Sequence, residues 1–249
     1  DSTGNVMVEI KAKSDLEDVF FVQTLSYFKA SGYHVGLLIN FGSAKLQVVV
    51  DNQTSAVAKI SDALTYGNGQ YVRLMGKVVT AGSEEIGDGF YIEDSDRSSA
   101  VKVLSGLELR QGDVVTVTGP LTTVGGERAI EGTIVTCESS GATLPRPLCI
   151  PLRDLGGPGI DGVVPPVGAG CGARNTALLV KVVGRVTSSQ DGRFCITDGS
   201  PKGPIAVICP GVGQMAVGTL VAVTGLSAVE QSGSVYSACL RARSASDIE

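Results

Sequence analysis

The sequence contains no tryptophan, and only 5% of its 249 residues are aromatic. A protein that binds nucleic acid mainly by stacking bases on aromatic rings needs more of them, so this mode of binding is disfavoured. The formal net charge of -5 also argues against binding by bulk positive charge. No apolar run reaches the roughly 20 residues of a membrane-spanning helix, so we expect no membrane span.

Metal-binding residue patterns are scarce as well. His34 is the single histidine, which excludes zinc sites that need two. The six cysteines contain no C-x-x-C pair, and all follow residue 136. We expect Cys195, Cys209 and Cys239 to be small buried hydrophobic residues within strands. The alternative is a set of disulfides in an exported protein.

Glycine and proline, by contrast, are abundant, at 33 and 10 residues. After residue 70, short β-rich runs alternate with turns, and three blocks recur in the same order at offsets of 104 to 108 residues. One recurring block alone would be unremarkable, but three in order predict an internal repeat. The matching blocks are VRLMGKV (72–78) with VKVVGRV (180–186), GFYIED (89–94) with RFCITD (193–198), and GDVVTVTG (112–119) with GTLVAVTG (218–225).

Each repeat predicts about five strands. The first strand carries a central glycine, Gly76 or Gly184, which would allow it to coil sharply and serve two sides of a barrel. Phe90 and Phe194 occupy matching positions and are expected in the core. This order resembles the OB-fold, a five-stranded barrel. More loosely, it resembles tandem OB-like modules at the C-termini of large bacterial surface proteins.

The N-terminal residues have a different pattern, which predicts a strand, a helix and a second strand. Glu9 and Lys11 form an E-x-K on the first strand, where residues i and i+2 point to one face. Gln23 and Tyr27 form a Q-x-x-x-Y that shares one face of the following helix.

VEIKA, followed by VQTLSYFKASGYHVGLLINFGSAKLQ, resembles the C-terminal half of the GxxExxY family, which has a PD-(D/E)xK nuclease-like fold. The resemblance covers about residues 5–48. It implies that Glu9 binds Mg²⁺ and that Lys11 orients the attacking water. It also implies that Gln23 and Tyr27 position a phosphate.

Two features depart from that family. The GxxExxY signature is missing, and the first metal-binding carboxylate should precede the E-x-K strand. Asp1, eight residues before Glu9, is a poor substitute. We therefore expect a truncated nuclease-like unit that is not a competent enzyme, with Mg²⁺ as a cofactor only if the site were complete.

The barrels have two alternative functions. In the first, they bind single-stranded nucleic acid weakly, through Lys181, Arg185, Arg193 and Tyr91. The second barrel is the better candidate, because residues 141–249 carry a net +2 and its cations have no acids close by in sequence. In the second, the barrels are a non-catalytic structural or protein-binding module, and the N-terminal piece is a relic or an accidental fusion.

The sequence therefore predicts a mainly β protein with a small α/β N-terminal piece. That piece is a partial PD-(D/E)xK-like strand–helix–strand unit, and two OB-like five-stranded barrels follow it. A cytoplasmic location follows if the nuclease-like part dominates, and export if the barrels do; the oligomeric state stays open. The predicted segments are a nuclease-like unit at 1–51, a linker at 52–69, barrels at 70–138 and 177–249, and a Pro/Gly-rich connector at 139–176.

Overall fold

A computed structural model describes residues 6–14, 20, 23, 35–42, 47–52, 55–160, 162–167 and 172–249. The protein is mainly β and forms two compact units, Asp1–Ser55 and Ala56–Glu249. The finer division into five segments stays a prediction. Within the described residues, no helix is long and apolar enough to cross a membrane.

The N-terminal unit contains a three-stranded sheet in the order β1-β2-β3. β1 pairs parallel with β2, and β2 pairs antiparallel with β3. A parallel pair requires a crossover connection. Of the residues between β1 and β2, 12–14, Phe20 and Gln23 are described, and Phe20 and Gln23 are helical. The strands are β1 (Val6–Lys11), β2 (Val35–Asn40) and β3 (Gln47–Asn52).

The second unit begins with a seven-stranded sheet, called sheet A, in the order β10-β8-β9-β7-β6-β5-β4. A further pairing between β8 and β5 closes five of its strands into a ring. Its strands are β4 (Ser55–Val57), β5 (Tyr71–Ala81), β6 (Phe90–Glu93), β7 (Ala100–Leu104), β8 (Val114–Val124), β9 (Glu127–Glu131) and β10 (Ile134–Ser139). Two short helices are α1 (Ile60–Leu64) and α2 (Ser83–Ile86).

A six-stranded sheet, called sheet B, follows in the order β11-β12-β13-β14-β16-β15, and pairing of β12 with β15 closes it. Single 3₁₀ turns occur at Leu152–Asp154 and Ala245–Asp247. Its strands are β11 (Leu148–Cys149), β12 (Leu179–Gln190), β13 (Arg193–Thr197), β14 (Ile205–Ile208), β15 (Leu220–Ser232) and β16 (Val235–Arg241).

The two closed sheets share one strand order. In each, the first strand of the ring is followed by the second, third, fifth and fourth, and the fourth pairs back with the first. In each, the third and fifth strands are parallel, namely β7 with β9 and β14 with β16. The repeated sequence blocks lie on equivalent strands of these two rings.

A structural equivalence upstream of the repeated blocks was not visible in the sequence. The Asp94 carboxylate accepts the Ile60 backbone N–H at 2.8 Å, and the Asp198 carboxylate accepts that of Leu152 at 3.0 Å. Ile60 and Leu152 are both fully buried. They are 92 residues apart, whereas Asp94 and Asp198 are 104 apart, so a constant-offset search misses the pair.

Packing joins the two sheets into one unit. The core of sheet B includes three side chains from sheet A, those of Ala81, Tyr91 and Ala100. Phe90 and Phe194 are buried as predicted. Leu152 and Val167 of the irregular connector also belong to the core of sheet B.

The two central glycines of the first strands have different roles. Gly76 has φ +63° and lies in a β-bulge, where β5 changes its pairing with β8. A bulge with a left-handed glycine bends and twists a strand, and β5 pairs with both β6 and β8. Gly184 lies in an unbroken ladder with β15. A Cβ atom there would lie 3.0 Å from the Thr197 carbonyl oxygen, so this glycine provides space between strands.

The recurring Val-Thr-Gly motif has a steric cause. A Cβ atom on Gly119 would collide with the Glu131 carbonyl oxygen, and one on Gly225 would lie 2.5 Å from that of Arg241. Both glycines allow the fourth strand of a ring to pass close to the end of the fifth.

We expect Gly119→Ala and Gly225→Ala each to lower the free energy of unfolding by about 1–3 kcal/mol, because the methyl group overpacks this crossing. Urea denaturation measures the change. Gly106→Ala is the matched control, since a Cβ atom at Gly106 meets nothing within 4 Å. An equal loss of stability in Gly106→Ala would contradict the steric explanation.

Candidate functional site

The N-terminal unit brings three of the four predicted nuclease-like residues together. Lys11 Nζ lies 2.9 Å from Glu9 Oε1 and donates to Gln23 Oε1 at 3.2 Å. The same ammonium lies 5.1 Å from the centre of the Phe20 ring, which is a cation–π distance. Tyr27 lies outside the described residues.

Strand alternation explains this grouping. Glu9 and Lys11 point to one face of β1, and their side chains are only 28% and 16% exposed. Val8 and Ile10 point to the other face and are 47% and 63% exposed. The helical residues Phe20 and Gln23 therefore lie on the E-x-K face of the sheet.

These residues do not fit a Mg²⁺ site by themselves. Magnesium needs near-octahedral oxygen coordination, usually with one or two carboxylates besides water. Among the described residues, no group of three or more His, Cys, Asp or Glu side chains is placed to hold a metal. The Glu9 carboxylate is already paired with an ammonium.

Two of the three predicted cations of sheet B, Lys181 and Arg193, pair with acids that are distant in sequence. Lys181 pairs with Glu249 at 2.9 Å, and the Arg193 guanidinium makes two hydrogen bonds to the Glu230 carboxylate at 2.5 and 2.7 Å. Arg185 donates to the Gly218 carbonyl oxygen at 3.1 Å and lies at the surface. The acids are distant in sequence, so a local charge count misses them.

The prediction that Tyr91 contacts nucleic acid is wrong. Its side chain is fully buried in the contact between the two sheets, and its hydroxyl donates to Glu127 at 2.6 Å. Burial and the neighbouring carboxylate raise the pKa of Tyr91 well above its usual value. No face of the ring is available for stacking on a base.

Two carboxylates of sheet A bind the backbone of sheet B, and sequence reasoning missed both. Glu93 Oε2 accepts the Leu179 N–H at 3.0 Å, and Glu127 Oε1 accepts the Val229 N–H at 2.6 Å. Both side chains are buried. From the strand sequences alone, both glutamates would be taken for acids that face solvent.

The cysteines are thiols wherever the structure describes them. Cys209 and Cys239 are buried as predicted, and burial raises the pKa of both, that of Cys239 to about 12. Cys195 is partly buried, and Cys137 and Cys149 are exposed. Cys171 lies outside the described residues.

A family model, the PD-(D/E)XK nuclease superfamily, matches residues 3–51. No curated protein matches the chain. Among solved structures, the crystal structure of the p204 HINb domain is similar to this chain at 11% sequence identity, over 70% of this chain and 93% of that one. Its TM-score is 0.29, which does not establish a common fold. The nuclease-superfamily match concerns the N-terminal unit and leaves Ala56–Glu249 unassigned.

Proposed function

We propose that this chain is a nucleic-acid-associated protein in which a nuclease-like unit is joined to two OB-fold barrels. The supporting observation is the cluster of Glu9, Lys11 and Gln23, which lies within the segment similar to the PD-(D/E)XK nuclease superfamily. The flanking sequence, described above, supports descent from the GxxExxY family.

In this proposal the N-terminal unit contacts the phosphate backbone without cutting it. Lys11 supplies a cation that is 16% exposed and is held in place by Glu9 and Gln23. A single ammonium at this position contributes to backbone affinity without reading sequence. Hydrolysis needs further metal ligands, which the described residues do not supply.

The proposal that sheets A and B are OB-fold barrels is supported by their closure, their shared strand order and the parallel pairing of the third and fifth strands. Small closed barrels of this kind commonly present strands and loops to oligonucleotides or oligosaccharides.

We expect the purified chain to bind DNA or RNA oligonucleotides without cleaving them in Mg²⁺ or Mn²⁺. Lys11→Ala should weaken binding and reduce the slope of log K against log salt by about 1, because one phosphate contact is lost. Fluorescence anisotropy at several salt concentrations measures both effects. Cleavage that Lys11→Ala abolishes would show that other acids complete a nuclease site.

Lys13→Ala is the matched control, since Lys13 is an exposed lysine two residues away whose backbone, not its side chain, bonds to Asn40. Lys11 also holds Gln23, so circular dichroism must show that Lys11→Ala is folded. Equal effects from Lys11→Ala and Lys13→Ala would argue against a specific contact at Lys11.

A second candidate is a non-catalytic scaffold that binds no nucleic acid. The observation that favours it is the pairing of Lys181 and Arg193 with acids, together with the burial of Tyr91. Absence of oligonucleotide binding at low salt would select this candidate, because the electrostatic part of nucleic-acid binding is strongest there.

A further inference from the structure

One outer face of sheet B is partly exposed to solvent, whereas the equivalent face of sheet A is buried. The ladder register places Arg193, Ile208 and Arg241 side by side on β13, β14 and β16. Phe194 and Ile196, between the outward positions of β13, point into the core. Arg193 and Arg241 therefore flank Ile208 on the outside of the barrel.

The corresponding face of sheet A is closed. Cys195 and Thr197 of β13 are equivalent to Tyr91 and Glu93 of β6, at the common offset of 104 residues. Tyr91 and Glu93 are fully buried, whereas Cys195 and Thr197 are partly exposed. A ligand can therefore reach this face on sheet B and not on sheet A.

The two arginines are bonded differently. Arg193 binds Glu230 with two hydrogen bonds, and both side chains are about one-third exposed. The Nε atom of Arg241 is buried and has no hydrogen-bond partner within the part of the chain that the structure describes. A buried donor without a partner has a substantial desolvation cost. Among the described residues no acid forms an ion pair with Arg241, so the accessible part of its guanidinium is a cation that a ligand oxygen could neutralise.

Charges facing this area come from both sheets. Arg193 and Arg241 both lower the pKa of the Glu230 carboxyl group. Glu127 of sheet A is the other acid nearby, and its oxygens already bond to Tyr91 and Val229. Glu230 is therefore the one carboxylate of this group whose bonds go to an arginine.

A small cavity adjoins Arg193. Its volume is about 160 Å³. It is lined by Ser188, Ser189, Gln190, Arg193, Phe194 and Cys195. Hydroxyl and amide groups beside a guanidinium are donors suited to phosphoryl oxygens, and arginine binds phosphate through two parallel hydrogen bonds.

We propose that Arg193 and Arg241 form a phosphoryl-binding site on the outer face of sheet B, and that Glu230 occupies it until a phosphorylated ligand displaces the carboxylate. The inference rests on the proposed function in taking the backbone of single-stranded nucleic acid as the main source of that phosphoryl group. A free phosphate compound has the same chemistry and is the other source.

The test uses the intact chain and two probes, inorganic pyrophosphate and a labelled oligothymidylate of about 12 nucleotides, a length within the site size of such barrels. Glu230→Gln should tighten oligonucleotide binding about fivefold, because the ligand then no longer has to displace a carboxylate that binds Arg193 through two hydrogen bonds. Arg241→Gln should weaken binding about tenfold, in the wild-type chain and in Glu230→Gln alike.

Two controls match the charge changes. Glu108→Gln removes an exposed acid and Arg73→Gln an exposed cation, both in the sheet A half of the unit. Neither should change the affinity. Pyrophosphate binding that Arg241→Gln removes would identify the phosphoryl group alone as sufficient, whereas binding of the oligonucleotide only would identify nucleic acid as the source.

Affinity that is unchanged in Glu230→Gln, or that falls equally in Arg73→Gln and Arg241→Gln, overturns the inference. Oligonucleotide binding that depends on Lys11 but not on Glu230 or Arg241 overturns it too, and leaves the proposed function standing. Absence of binding by every variant overturns both.

Discussion

Arg243→Ala should lower the free energy of unfolding by about 3–5 kcal/mol, the usual cost of removing one partner of a buried ion pair. The Arg243 and Asp247 side chains are only 9% and 11% exposed. Arg243 binds both Asp247 oxygens, at 2.7 and 2.9 Å. It also donates to the Thr80 carbonyl oxygen at 3.1 Å and to Gln111 Oε1 at 2.9 Å, which links the end of sheet B to sheet A.

Chemical denaturation of the intact chain measures this effect. Arg110→Ala is the control, because the Arg110 side chain is 82% exposed and its nearest acid is 3.8 Å away. The double variant Arg243→Ala/Asp247→Ala should lose less than the sum of the two single losses, since the partners share one interaction. A loss below about 1 kcal/mol in Arg243→Ala, the range of an exposed pair, would contradict this role.

The strands of both rings could be predicted because each carries its own local signal. FYIE and RFCIT alternate around a phenylalanine, and Phe90 and Phe194 are indeed in the core. Turn glycines mark the ends of the strands, as at Gly125-Gly126 between β8 and β9. Such signals depend on neighbours within a few residues, which is what a sequence pattern records.

The contacts between the two sheets could not be predicted, because nothing local distinguishes them. Glu93 reads as an outward-facing acid at the end of a strand, yet it meets Leu179, 86 residues later. The Lys181–Glu249 pair spans 68 residues and the Arg193–Glu230 pair 37. The pairing of Lys181 and Arg193 with distant acids and the burial of Tyr91 could not be foreseen for this reason.

The N-terminal site was predicted in part. Strand periodicity correctly placed Glu9 and Lys11 on one face, and the helical residue Gln23 meets Lys11. The approach of Phe20 to the ammonium was not foreseen, because the sequence does not determine how the helix is rotated about its axis. The roles of these residues stay predictions until binding is measured.

Glu93→Gln should remove a pH dependence of stability from the junction of the two sheets. Glu93 is fully buried, its Oε2 accepts a single backbone N–H, and its Oε1 has no partner among the described residues. Burial raises the pKa of Glu93 from 4.5 to about 7, and the nearby Asp94 acts in the same direction. The Leu179 N–H and Arg97 oppose the shift without cancelling it.

The folded protein therefore holds the Glu93 proton more tightly than the unfolded chain does. Below pH 4.5 both states are protonated and the group contributes no difference. As the pH rises from about 4.5 to about 7, the unfolded chain loses its proton first, so the folded state loses stability; above pH 7 the loss is complete. The difference between a pKa of 4.5 in the unfolded chain and about 7 in the folded protein corresponds to a loss of about 3 kcal/mol in the free energy of unfolding.

Glutamine keeps an oxygen for the Leu179 N–H and carries no charge at any pH. Glu93→Gln should match the wild type near pH 4.5 and exceed it by up to about 3 kcal/mol at pH 8. The difference between the two unfolding curves is the quantity to measure, because acids with lowered pKa values, such as Asp198 and Asp247, contribute equally to both. Glu108→Gln, which removes an exposed carboxylate, should show no such divergence. If the wild-type and Glu93→Gln curves stay parallel from pH 4.5 to 8, the pKa of Glu93 is not raised in the folded protein. The predicted loss of stability at the junction would then be wrong.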